Sequence, residues 1–399
     1  MRPSGATSRS TLRLALLMDP REEGWLSMDL VGDALLEGLT GLAPQVQAAA
    51  IRPSLPAVLR RLPRVGARNA AFNADRLLTR FGLYPGRALL ARGQHDAFHV
   101  VDHTYAQLVH ALPAARTGVY CHDLDAFRSV LEPHREPRPA WFRAMARAQL
   151  SGLERAAVVF HSTQTVRAQL LAHGVVPESR LVWAPYGVSP EYRPEPASGP
   201  LDLSEAVLAP LGGRPYLLHV GSAIPRKRLD VLFAVFAALR ARHPELRLVQ
   251  QGGALTAVQR AQVEALGIGD ALLQPARQER ATLAGLYRRA TAVLVTSEAE
   301  GFGLPVIEAL ACGAPVVASD LPVLREVGAD ACTYCPMGDV PAWVEAVASL
   351  LEGRAVPPSR EARLARAARF TWGSHARTVL ESYVRLLGGR AAPPPPPGG

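Results

Sequence analysis

Two glutamates, two adjacent cations and a set of glycines carry the chemistry this sequence offers. Within residues 293–317 an apolar run leads through Glu300, Gly301, Phe302 and Gly303 into Leu304, Pro305 and Glu308, then reaches Gly313 and a second apolar run. The order reads strand, loop, helix, strand. Pro305 suits a first helical turn, where its missing N–H costs nothing, and Gly313 suits the C-terminal cap. A helix is therefore predicted to begin near Leu304. Gly301 and Gly303 let backbone approach a ligand closely, and the unpaired N–H groups of a helix start favour an anion. Two carboxylates at the mouth of an anion site would repel a bare phosphate, but they accept charge-assisted hydrogen bonds from hydroxyl groups. A nucleotide sugar presents both kinds of group. One glutamate then serves the ribose, the other the transferred sugar, and the helix start serves the diphosphate between them.

A second segment, residues 219–230, repeats the pattern of strand, glycine turn and helix, with Gly221 and Ser222 followed by Arg226 and Lys227. The two cations come where the helix is predicted to begin, placed to face a phosphate. Of the 44 basic residues, Lys227 is the one lysine. In a chain that uses arginine almost everywhere, that exception points to a position suited to a compact, strongly hydrated ammonium.

At these two segments the chain resembles glycosyltransferase family 4, whose members are retaining enzymes of the GT-B fold. The resemblance covers Gly221, Arg226 with Lys227, residues 300–308, and Gly313 with Pro315. It implies Glu308 on the ribose, Glu300 with the Phe302 and Gly303 backbone on the sugar, and the Leu304 N–H with Arg226 and Lys227 on the diphosphate. It also implies that Phe370 and Trp372 precede a helix that crosses back to the first domain. In the first half the match is looser. His122, followed by Asp123, resembles the family's first-domain histidine near the reacting centre, Gly24 stands where the family has an acceptor-side glycine loop, and residues 185–188 resemble the segment before the linker. Many members carry arginine where this chain has Ser222, which would shift phosphate neutralisation onto Arg226 and Lys227; a frequent asparagine is here Tyr186. Retention, by front-side attack of the acceptor, is likewise what the resemblance implies.

Asp123 and Asp125 have the spacing that holds a metal and nucleotide in single-domain GT-A glycosyltransferases. Such a fold would leave the second phosphate site without a purpose, so Asp125 is read as a helix cap. No metal site and no cofactor beyond the nucleotide-sugar donor substrate are expected. No G-x-G-x-x-G with a later acid follows the first strand, which argues against a dinucleotide oxidoreductase. A nucleotide-sugar epimerase of the same fold and a non-catalytic binding partner stay open, although the latter would be expected to lose Lys227 and Glu308.

The elements that must position these residues are legible as alternation. Apolar runs at 14–18, 46–51, 97–102, 117–121, 156–160 and 181–184 are separated by helical stretches, and a second series runs through 216–220, 246–250, 270–273, 292–297 and 315–318. Such alternation builds parallel sheets covered by helices. At 399 residues, 48% apolar and 20% charged, the chain suits two α/β domains. The expected division is a Rossmann-like acceptor-side domain over 12–193, a linker over 194–214, and a nucleotide-sugar-binding domain over 215–372, the two facing across a cleft. A crossing helix over 373–390, with Val379, Tyr383, Leu386 and Leu387 on one stripe, and a polyproline tail over 391–399 complete it.

The net charge of +9 suits anionic ligands, and it is concentrated: residues 52–93 hold nine arginines against Asp75 alone. That stretch is either a set of solvated helix faces or a patch for an anionic acceptor or a membrane surface. Cys121, Cys312, Cys332 and Cys335 do not form a disulfide scaffold; Cys332 and Cys335 have redox spacing without a companion pair and are read as buried thiols. The absence of a long apolar run and of a leader pattern gives the expectation of a cytoplasmic protein, with peripheral contact at the inner face of a membrane through the basic stretch. The expected partners are a nucleotide-sugar donor and a glycan or lipid-linked acceptor, with no nucleic acid.

Overall fold

The computed structural model describes residues 11–61, 69–195 and 202–388. They form two compact units, one running to Tyr186 and resuming at Trp372, the other Gly187–Thr371. The polyproline tail and residues 62–68 of the basic stretch lie outside the described residues.

The first unit contains a parallel sheet of β1 (Leu12–Leu17), β2 (Val46–Ile51), β3 (Ala97–Val100), β4 (Thr117–Cys121), β5 (Val158–His161) and β6 (Leu181–Trp183), in the order β2-β1-β3-β4-β5-β6. Helices on both faces leave β3, β4 and β5 wholly buried, so these strands read as near-continuous apolar runs rather than alternating ones. The second unit contains β7 (Tyr216–Val220), β8 (Arg247–Gln251), β9 (Leu272–Leu273), β10 (Ala292–Val295), β11 (Val316–Ser319) and β12 (Thr333–Cys335), in the order β12-β11-β10-β7-β8-β9. The apolar runs of the sequence fall on β1 to β11. The edge strand β12 escaped because it is three residues long and only Cys335 of Thr333, Tyr334 and Cys335 is fully buried.

The units divide earlier than the proline-rich stretch suggests. Val188 bridges to Thr371 and donates its N–H to the Phe370 carbonyl, so residues 187–193 belong to the second unit, not the first. Within 194–214, Ser204–Leu208 is helical and Asp202 pairs with Arg288 at 2.7 Å, which makes that part of the expected linker a packed piece of the second unit.

The C-terminal helix, Trp372–Leu387, belongs to the first unit. It lies against the helix Leu26–Thr40 so closely that a Cβ on Gly38 would meet the Ala376 Cβ at 2.8 Å. Val379, Leu380 and Tyr383 form its buried stripe, whereas Leu387, expected on that stripe, is exposed. The Tyr383 hydroxyl donates to the Phe98 carbonyl at 2.8 Å and lies 3.1 Å from His99 Nδ1, and the absence of a side chain at Gly118 makes room for it. His375 Nδ1 donates to the carbonyls of Ala184 and Pro185, fixing the chain where it leaves the sheet.

This docking has a measurable consequence. Tyr383→Ala is expected to lower the stability of the first unit by about 3–5 kcal/mol through the cavity it leaves, and Tyr383→Phe by about 1 kcal/mol through the unpaired Phe98 carbonyl. Urea denaturation followed by circular dichroism checks both; a Tyr383→Ala midpoint equal to wild type would show that the helix does not hold the unit together.

Candidate functional site

In an open parallel sheet, ligands bind beyond the carboxyl ends of the strands where the strand order reverses. In the second unit that point lies between β7 and β10, and the loops leaving those two strands are the two segments singled out by their chemistry. The loop after β7 runs through Gly221 and Ser222 into a 3-10 turn, Pro225–Lys227; Arg228 then adopts a left-handed conformation (φ 50°) before the helix Leu229–Arg242. Arg226 and Lys227 thus stand on the turn before the helix. The loop after β10 carries Thr296, Ser297, Glu300, Gly301 and Phe302 to Gly303, and the helix Leu304–Ala311 starts where its proline predicts.

The two loops are joined at their bases and at their tips. The Glu298 N–H donates to the Arg226 carbonyl, the Thr296 hydroxyl donates to the Lys227 carbonyl, and an Arg226 guanidinium N–H donates to the Ala299 carbonyl. Above them Lys227 Nζ contacts Glu300 Oε1 at 2.6 Å, and the Ser297 hydroxyl donates to the same oxygen at 2.6 Å. Arg226 approaches Glu300 Oε2 at 3.5 Å. Burial opposes ionisation of Glu300, but Lys227 and Arg226 outweigh it and hold the carboxyl below its usual range. The two carboxylates of the sequence reading are therefore not equivalent. Glu300 is ionised and paired, and Lys227 reaches a ligand only from within that pair.

Glu308, on the helix, is buried and accepts the Tyr287 hydroxyl at 2.9 Å. Burial pushes its carboxyl up to about 7, against the pull of that hydrogen bond and of Arg280. Gly303 caps the helix at φ +100°, where a Cβ would also strike Leu324 Cδ2 at 2.8 Å, so both conformation and space require glycine. No side chain caps the helix start. Phe302 is buried edge-on to Phe370, with ring centroids 5.6 Å apart, which fixes the loop from behind. Gly313 takes the left-handed position after Cys312, and its N–H donates to the Leu310 carbonyl.

Sequence reasoning missed what lies beneath Gly221. Gly252, at φ +146°, passes so close that a Cβ there would lie 2.1 Å from the Gly221 carbonyl oxygen, and Gln250 donates to that same carbonyl. His219 donates from Nδ1 to the Leu294 carbonyl, tying β7 to β10. A glycine pair just after an apolar run was the available signal.

The residues read from the sequence as acceptor-side lie in the first unit, Gly24 after β1 and His122 with Asp123 after β4. His122 follows β4, with Nε2 at 2.8 Å from the Val101 carbonyl and Nδ1 on the Tyr186 hydroxyl; burial pulls it down to about 4. It stands beside His103 and Asp102, and ligand atoms of these three lie within 4.8 Å of one another, an arrangement able to hold a metal ion. The sequence reading named no such group. Here Asp102 accepts the Thr104 N–H and hydroxyl, and His103 Nδ1 accepts the His122 N–H at 3.3 Å. Asp123 accepts the Asp125 N–H at 3.0 Å and Asp125 pairs with Arg128, so Asp123, not Asp125, closes this turn, and each carboxylate of the D-x-D pattern is committed locally. Gly24, at φ +74°, ends the turn Arg21–Glu23; beside it Glu23 is buried and bound by Arg76 and Arg80. The four cysteines are free and buried.

Comparison with known proteins places this geometry. Residues 203–370 match the family model described as "Glycosyl transferases group 1". A D-inositol 3-phosphate glycosyltransferase of Segniliparus rotundus is 35% identical over 48% of this chain and 42% of its own length; one from Arthrobacter sp. is 28% identical over 73% of this chain and 70% of its own. The chain thus spans less than half the length of the first of these relatives. Among solved structures, a sucrose-phosphate synthase from Thermosynechococcus elongatus superposes with a TM-score of 0.72 at 19% identity, covering 95% of this chain and all of that one. Anabaena HepE, solved with UDP and glucose, gives 0.69 at 15% identity, covering 94% and 99%. These share the fold, two Rossmann-like domains of the GT-B kind. The loops at the β7 and β10 reversal lie inside residues 203–370, the part of this chain that is similar to the group 1 glycosyl transferases.

Proposed function

We propose that the protein is a retaining, metal-independent glycosyltransferase that moves a sugar from a nucleoside diphosphate sugar to a glycan or lipid-linked acceptor, in the cytoplasm and as part of polysaccharide or glycoconjugate synthesis. The observation that carries this reading is the Lys227–Glu300 pair beside Arg226 and the uncapped helix start at Leu304. Fixed cations and backbone dipoles aimed at one point stabilise the charge that develops on a departing diphosphate. They supply what a divalent ion supplies elsewhere, and no added cofactor is needed. Glu300, anchored by Ser297, is left with its second oxygen toward a sugar hydroxyl, and Glu308 serves the ribose. His122, neutral at physiological pH, is available to the transferred sugar rather than as a cation. The solved relative that holds UDP and glucose supports the donor class.

Lys227→Ala tests the leaving-group role. Its effect grows as the bond breaks, so kcat is expected to fall by about 10²–10³ with a smaller rise in donor KM. Because Glu300 then loses its closest counter-charge, stability falls as well, by up to about 3 kcal/mol; Lys227→Arg restores that stability and only part of kcat. Wild-type kcat in the folded Lys227→Ala enzyme sinks the donor-site assignment.

Glu308 gives a pH test. Its folded-state value of about 7 lies above the ordinary 4.5, so the folded protein binds a proton that the unfolded chain releases, and stability declines as pH rises from about 4.5 through 7. Ribose hydroxyls donate to the ionised form. Affinity for a nucleoside diphosphate is therefore expected to rise with pH between about 6 and 8, by no more than tenfold per unit. Calorimetric titration of UDP, GDP and ADP across that range checks it, and Glu308→Gln should flatten the profile.

Chelation separates the phosphate site from the first unit's Asp102, His103 and His122. Turnover is expected to survive EDTA, since the cations are side chains. Loss of activity in EDTA with recovery in Mn²⁺ would overturn metal independence and direct attention to those three residues.

A further inference from the structure

The basic stretch acquires a definite shape in the structure. Residues 69–91 form one helical run: Asn69–Leu78, a π-helical turn Thr79–Leu83, and Tyr84–Ala91. Its inner side is fastened to the site end of the first sheet. The Tyr84 hydroxyl lies 2.8 Å from the Met18 carbonyl and 2.7 Å from that of Ile51, just beyond β1 and at the end of β2, and buried Arg80 binds Glu23 at 3.0 Å beside Gly24.

The outer side is apolar and cationic. Leu83, Arg87 and Leu90 follow one another at spacings of four and three, which puts them on one face, and Leu90 is 78% exposed. Leu77 and Phe81, four apart on the preceding turns, are exposed as well. No acid occurs from Arg76 to His95. Arg87 has no carboxylate partner among the described residues, whereas Arg92 lies on the other side of the helix with its Nε on the Ala111 carbonyl at 2.7 Å. An exposed apolar stripe in a soluble protein marks an interaction site. Arg87 within it, with no acid of its own and none on the helical run after Asp75, selects a partner that is both oily and negative. A second copy of the same face would bring like charges together, and nucleic acid gives Leu83 and Leu90 nothing to enter.

We propose that the outward face of residues 76–91 docks on an anionic lipid bilayer, with Leu83 and Leu90 in the acyl boundary and Arg87 on the headgroups. It rests on the reading of a lipid-linked acceptor: the same run that meets the bilayer is bound on its inner side to the loop bearing Glu23 and Gly24, so docking holds that loop beside lipid headgroups.

Flotation with vesicles tests this directly. The full chain is expected to float with phosphatidylcholine vesicles containing about a third phosphatidylglycerol, to stay behind with pure phosphatidylcholine, and to be released at about 1 M salt. Leu83→Gln with Leu90→Gln should abolish flotation, and Arg87→Gln should weaken it about fivefold, as expected for one basic residue at such a surface. Both are surface changes and should leave the thermal shift given by UDP, GDP or ADP unaltered. No flotation of the wild type, equal flotation with neutral vesicles, or flotation indifferent to the Leu83 and Leu90 changes overturns the proposal. So does a dimer that Leu90→Gln dissociates, or tighter binding to duplex DNA than to anionic vesicles. A nucleotide panel that shifts nothing would count against the donor site and leave the vesicle result standing.

Discussion

The organisation of the second unit's site depends on one interaction, the buried pair of Lys227 and Glu300. A carboxylate with a side chain 6% exposed beside an ammonium at 12% is costly to desolvate, and such pairs are weak sources of stability. Its geometry explains why it is worth keeping. Lys227 comes from the loop after β7 and Glu300 from the loop after β10, so the pair, with the bonds from the Glu298 N–H to the Arg226 carbonyl and from the Thr296 hydroxyl to the Lys227 carbonyl, closes two independent connections into one rigid mouth. A preorganised charge does not have to reorient as the reaction proceeds. Pairing also keeps the ammonium from drifting into water.

Environment then separates two glutamates that composition alone treats alike. Glu300 meets Lys227 and Arg226, which hold it ionised despite burial; Glu308 meets Tyr287 and apolar walls, and burial lifts it to about 7. Carboxyls driven apart in this way can take different tasks within one site. One is a permanent anion that orients, the other a group whose charge depends on what binds it.

Much of this was legible in sequence where a single residue type meets a single backbone demand. Pro305 and Gly313 bracket the helix Leu304–Ala311 because each fits one cap position, and long buried runs such as residues 216–220 mark parallel strands because both faces are covered. Contacts between distant segments were not legible. Nothing local to Lys227 says that Glu300 lies 2.6 Å away, nor does Gly252 announce that it passes under Gly221. The boundary at Tyr186 was misplaced for the same reason: proline marks where regular structure stops, whereas the division follows the pairing of Val188 with Thr371. Asp125 was read as a helix cap, whereas its N–H goes to Asp123 and its carboxylate to Arg128, since spacing does not say which way each of two carboxylates turns.

The first unit shows the same principle resolved by a proton instead of a cation. Asp19, just beyond β1, and Asp102, just beyond β3, bring two buried carboxyls together at the strand reversal. Two adjacent anions cannot both stay ionised in a dry site. Burial and the neighbouring Asp102 raise Asp19 well above the carboxylate range; Asp102, although buried too, is lowered by His103 and His122 and accepts from Thr104. Asp19 is therefore the carboxyl that holds its proton, and Asp102 stays the anion that faces the two histidines. Burial outweighs the Asp102 anion at His122, so the ring stays neutral and its direction is set by the Val101 carbonyl and Tyr186. The two strand reversals are thus furnished differently: the one in the second unit carries fixed cations, and the one in the first unit offers directed hydrogen bonds from a buried, neutral ring.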